Sequence, residues 1–99
     1  MKSTVLVVSD SLGETARALA HAASAQFEPA DVRIDRLPNV RRSGEVENAV
    51  RARIEAGEGI AVLYTVVDKL LRDEISSLLM RLGIPSVDVL GRSSRRSAR

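Results

Sequence analysis

Ser9, Asp10, Ser11, Gly13, Glu14 and Thr15 place three hydroxyls, two carboxylates and a glycine within seven consecutive positions. The stretch follows the apolar run Thr4-Val5-Leu6-Val7-Val8 and leads into an alanine-rich pattern of helical period, so a strand, a tight turn and a helix start meet there. Ser11 and Glu14 have capping-box spacing, and Gly13 leaves the backbone open to a ligand where free N–H groups and the helix dipole attract anions. Arg41 and Arg42 supply fork-like donors suited to phosphate or carboxylate, and Thr65 closes a second apolar run. These nine residues are the candidate ligand-binding and phosphate-binding set. The plainer alternatives are a well-capped turn at Ser9–Thr15 and a solvated basic loop at Arg41-Arg42. The sequence assigns no catalytic residue and no metal ligand set.

Several chemistries are excluded by composition. The chain has 99 residues, enough for one small domain, and no cysteine, which removes disulfides, thiolate catalysis and Cys-ligated metals. His21 is the one histidine and reads as a surface residue. The two lysines, Lys2 and Lys69, follow no Gly-rich loop, so no P-loop is present. A flavin site resembling the Gly13-Glu14-Thr15 turn would need ring walls that one Phe and one Tyr hardly provide. A receiver-type phosphoacceptor would need an Asp where Tyr64-Thr65 stand, and no Ser/His/Asp set converges. No cofactor is expected in this chain.

Charge location argues against nucleic acid as the partner. Arg92, Arg95, Arg96 and Arg99 are four of the 15 basic residues, and residues 1–90 carry 11 basic against 13 acidic groups, a net charge of −2. With no Trp there is no aromatic platform for stacking bases. No apolar run approaches the roughly 20 residues of a membrane span, so a cytoplasmic protein without membrane contact is expected.

The elements that must position the set follow from periodicity. A helix is predicted from Gly13 to Phe27 with Ala16, Leu19, Ala20, Ala23 and Phe27 on its core face. Asp31–Leu37 alternates apolar and charged residues, as in an edge strand. Ser43 is the expected N-cap of a second helix ending near Ala56, with Val46, Ala49, Val50 and Ile54 as its stripe. Ile60–Tyr64 is a second buried strand, and Thr65 with Asp68 repeats the capping spacing before a third helix with Leu71, Ile75, Leu78, Leu79 and Leu82 inward. Gly83 closes that helix, and Val87–Leu90 is a short final strand. The βαβαβαβ order with short connections predicts an α/β, Rossmann-like or flavodoxin-like three-layer sandwich with a four-stranded parallel sheet in order 2-1-3-4. Ser9–Thr15, Pro38–Gly44 and Thr65–Asp68 then share the carboxyl rim, at the point where strand order reverses. Residues 1–91 form the expected domain, and 92–99 a disordered Arg/Ser tail.

Val7-Val8-Ser9-Asp10-Ser11-Leu12-Gly13-Glu14-Thr15-Ala16 resembles the opening of the regulatory proteins of pyruvate, phosphate dikinase and phosphoenolpyruvate synthase. The similarity continues through Ala25-Gln26-Phe27, Leu37-Pro38-Asn39-Val40-Arg41, Leu63-Tyr64-Thr65-Val66-Val67-Asp68 and Gly83-Ile84-Pro85, and ends with Val87-Asp88-Val89-Leu90-Gly91. Leu12 stands where that family usually has a Thr, removing one hydroxyl. The resemblance implies a bifunctional enzyme, an ADP-dependent serine/threonine kinase and a phosphate-dependent phosphorylase. ADP and Mg are implied only for full-length members, which are far longer and carry their phosphate-binding loop in a later part. A chain matching the N-terminal domain is expected to contribute to ligand or target binding without catalysis alone, its partners a dikinase or synthase and a phosphate-bearing small ligand. The alternatives are a stand-alone anion-binding module and an RNA-associated protein acting through its tail.

Overall fold

β1 (Ser3–Ser9) is an interior strand of the sheet in the computed structural model, which describes residues 3–12, 14–24 and 32–90. Gly13, Phe27 and the Arg/Ser tail lie outside the described residues, together with the expectations placed on them. The order continues through α1 (Glu14–Ser24), β2 (Val32–Leu37), α2 (Ser43–Glu55), β3 (Gly59–Thr65), α3 (Lys69–Leu82) and β4 (Ser86–Asp88). β1 pairs in parallel with β2 and β3, and β4 adds in parallel to β3, which gives the expected order 2-1-3-4.

Alternation along the strands sorts side chains into two cores. Leu6 and Val8 of β1 and Val62 and Tyr64 of β3 pack with Val46 and Val50 of α2 and Leu71, Ile75, Leu78 and Leu79 of α3. Val7 packs with Ala20 of α1 on the opposite face, with Val5, Ile34 and Leu63 against them. In β2 the alternation slips, because Asp35 and Arg36 are adjacent charges and Leu37 falls on the α2/α3 side. Asp35 is half-buried and is paired at 2.8 Å with Arg53, whose guanidinium also donates to the Ala49 carbonyl at 2.8 Å.

Helix ends differ from the sequence expectation in a consistent way. Glu14 is the first residue of α1, and the Ser11 hydroxyl pairs with that of Ser9 at 3.1 Å. In α2 the cap residue is Arg42, one place before Ser43, and the Glu45 carboxylate accepts from the Arg41 and Arg42 N–H groups at 3.0 and 3.1 Å. In α3 Asp68 itself caps, accepting from the Leu71 N–H at 3.0 Å, while Thr65 remains the buried last residue of β3. Gly83 ends α3 at φ 70, a left-handed conformation that suits a residue without Cβ. The predicted core faces also lose two members, since Leu19 is 49% and Ile54 44% exposed.

Tyr64, only 4% exposed, is the one titratable group whose acidity is clearly displaced among the described residues. Burial pushes its phenol above the ordinary value, opposed by a hydrogen bond with Ser76 and reinforced by the Asp88 carboxylate. The unfolded chain releases this proton near pH 10 and the folded chain later, so the stability contribution is full below about pH 10 and is lost as pH rises through the folded pKa. With one Tyr and no Trp, the absorbance rise of tyrosinate on ionisation reports this residue alone. Its titration midpoint should lie higher in the native chain than in urea; equal midpoints would refute the effect.

Candidate functional site

The β1–α1 loop is held from both sides. Val40 N–H donates to the Ser9 carbonyl and Asn39 N–H to the Ser11 carbonyl, each at 2.9 Å. The Arg41 guanidinium donates to the Asp10 carbonyl at 3.2 Å and that of Arg36 to the Leu12 carbonyl at 2.8 Å. Four successive carbonyls are therefore fixed by one neighbouring segment, which Asn39 turns through a left-handed φ of 59. On the other side the Asp10 carboxylate accepts from the N–H groups of Val67 and Asp68 at 3.0 and 3.1 Å, at the start of α3. The buried Ser9 hydroxyl accepts from the Ser11 N–H at 3.0 Å.

Between this loop and the end of β3 lies a cleft of about 390 Å³ lined by Ser11, Leu12, Glu14, Thr15, Thr65, Val67 and Leu90. Four of the nine residues expected from the sequence thus share one cavity: Ser11, Glu14, Thr15 and Thr65. Ser9 and Asp10 stand behind it as supports, and Arg41 reaches the loop through the Asp10 carbonyl. Arg42 contributes its backbone to the α2 cap and is not among the cleft's lining residues. Gly13 is outside the described residues. Sequence reasoning missed Arg36, and it missed the apolar wall made by Leu12, Val67 and Leu90, which are 61, 72 and 42% exposed. The signal for Leu12 and Val67 was available, since both lie in segments assigned to the rim. Leu90 was placed inside a strand that ends at Asp88, and its N–H donates to the Asp88 carboxylate at 3.2 Å.

Hydroxyl donors, an adjacent helix start and an apolar wall suit a small ligand carrying an anionic group. Among the described residues no three His, Cys, Asp or Glu side chains are grouped to hold a metal, and one Asp10 carboxylate oxygen already serves two backbone N–H groups. Glu14, the one carboxylate lining the cleft among the described residues, faces Arg17 at 3.7 Å and Arg36 at 3.9 Å.

A parallel 2-1-3-4 sheet with a cleft at the carboxyl ends of its two interior strands defines a Rossmann-like α/β domain. Within that class, the kinase/pyrophosphorylase family model matches residues 5–98, and the chain belongs to that family. A protein of Trichlorobacter lovleyi is 42% identical over 86 residues, which are 87% of this chain and 31% of that protein. One of Carboxydothermus hydrogenoformans is 37% identical over 87 residues, 88% of this chain and 31% of that protein, and one of Rickettsia bellii 36% over 91 residues, 92% and 33%. All three are provisionally named pyruvate, phosphate dikinase regulatory protein. The chain spans about a third of the length of these relatives. No helix among the described residues is long and apolar enough to cross a membrane.

Proposed function

We propose that this chain acts as the N-terminal, ligand-recognising domain of a cytoplasmic regulator of pyruvate, phosphate dikinase or phosphoenolpyruvate synthase. The observation that carries the reading is the convergence of Ser11, Glu14, Thr15 and Thr65 on one cleft where strand order reverses. The ligand is a small molecule bearing phosphate. Ser11, Thr15 and Thr65 hydroxyls donate to its oxygens, and the loop between Ser9 and Leu12 is pre-set by Arg36, Asn39, Val40 and Arg41 so that little ordering accompanies binding. The carboxylates of Asp10 and Glu14 oppose an anion, which keeps binding of phosphate alone weak. The dikinase or synthase is the protein target.

The chain by itself does not transfer phosphoryl groups on this reading. Such transfer needs a phosphate-cradling loop, a cationic clamp and a metal, and neither lysine of this sequence follows a Gly-rich loop. Titration with inorganic phosphate, followed by amide resonances, tests the site. Residues 11, 14, 15 and 65 should move together and saturate in the millimolar range, on the order expected for a few exposed donors. Shifts absent from these residues at saturating phosphate would overturn the reading.

A further inference from the structure

The two faces of the sheet are covered unequally. On β3, Val62 and Tyr64 face α2 and α3 and are 1 and 4% exposed, while Ala61 and Leu63, on the α1 side, stay partly exposed. The register sets Ala61 beside Val5 and Leu63 between Val7 and Val87. Val7 is 2% exposed, and Val87, at the far end of that row, is 55% exposed. Val5, Ala20, Ala61, Leu63, Pro85 and Val87 line a groove of about 440 Å³ that runs over β1, β3 and β4. Interior parallel strands belong under cover on both faces. Four strands about 4.8 Å apart and helices about 10 Å apart give room for two helices on each face. α2 and α3 fill one face; α1 is the single helix described on the other.

We propose that this groove seats an amphipathic helix supplied by the part of the polypeptide that the curated relatives possess beyond the stretch matched here. The inference rests on family membership and not on the ligand reading. The relatives are about three times as long as the matched stretch, which leaves ample chain to provide such a helix. Residues 91–99 do not suit the seat, because four Arg and three Ser with Ala98 as the one apolar side chain offer no stripe to lay on Leu63 and Val87. A second copy would bring groove against groove, with no ridge to enter either. The fitting occupant carries aliphatic residues at i, i+3 or i+4, and i+7.

The absence of cysteine makes the test direct. Val87→Cys in the groove and Ala52→Cys on exposed α2 are made separately, in the 99-residue chain and in a hybrid where this chain replaces the matching stretch of the Trichlorobacter lovleyi relative. Site-resolved maleimide labelling should be similar at both positions in the short chain. In the hybrid, labelling should slow at least about tenfold at position 87 and stay unchanged at position 52. An unchanged rate at position 87 in the hybrid overturns the proposal. So does concentration-dependent protection of position 87 in the short chain, which would make a second copy the occupant. Should the hybrid fail to fold, carbene footprinting of the unaltered relative at the positions aligned with Leu63 and Val87 decides the matter: labelling at least about tenfold below that of the short chain supports the seat, and equal labelling overturns it.

Discussion

Ile75→Ala should destabilise the chain by about 2–5 kcal/mol, a large share of the roughly 5–15 kcal/mol that holds a domain of this size together. Ile75 is 0% exposed and sits among Leu71, Leu78 and Leu79 in the core that α2 and α3 build on the sheet. Truncation removes buried methyl and methylene groups and leaves a cavity that its packed neighbours close only in part. Val87→Ala removes carbon atoms from a residue 55% exposed on the opposite face, and its cost should stay within about 0.5 kcal/mol. Urea unfolding at constant m measures both. Equal losses at the two positions would mean that the α1 face is as well packed as the α2/α3 face, against the burial seen along β3.

The contrast marks what was legible in the sequence. Thr4–Val8 and Ile60–Tyr64 read as interior strands because continuous apolar runs have no other stable place in a parallel sheet, and the order 2-1-3-4 followed from them. The rim cleft followed from that order, since the segments Ser9–Thr15 and Thr65–Asp68 begin at the carboxyl ends of the two strands that meet there. Periodicity identifies the apolar side of a helix but not how far its neighbours extend over it. Leu19 and Ile54 lie on the right stripes and are nonetheless exposed, at the edge of each stripe. The caps slipped for a different reason. Several residues near each seam can accept a backbone proton, and tertiary placement selects among them: Glu45 from inside α2, Asp68 in place of Thr65, and Ser9 holding the Ser11 N–H. Arg36 was invisible as a site residue because its role depends on the Leu12 carbonyl, brought close only by strand pairing.

Asp10→Ala should cost about 1–3 kcal/mol and, at the same time, tighten phosphate binding severalfold. The Asp10 carboxylate accepts from the Val67 and Asp68 N–H groups, where unpaired amides and the positive end of the α3 dipole would otherwise attract an anion. Its side chain occupies the place an external oxyanion would take, and it holds the β1–α1 loop to the β3–α3 loop in doing so. Removal exposes the two amides to water, which limits the loss of stability to the lower part of that range, and it removes a negative charge beside the cleft. Amide exchange at Val67 and Asp68 should quicken in the variant, and phosphate should then shift these two resonances in addition to those of residues 11, 15 and 65. Asp10→Asn separates the two effects, because an amide oxygen keeps an acceptor for the backbone while the charge is lost; most of the stability should return, with phosphate binding intermediate. Weaker phosphate binding in Asp10→Ala, with the fold intact by circular dichroism, would show that Asp10 supports ligand binding instead of competing for the ligand's position.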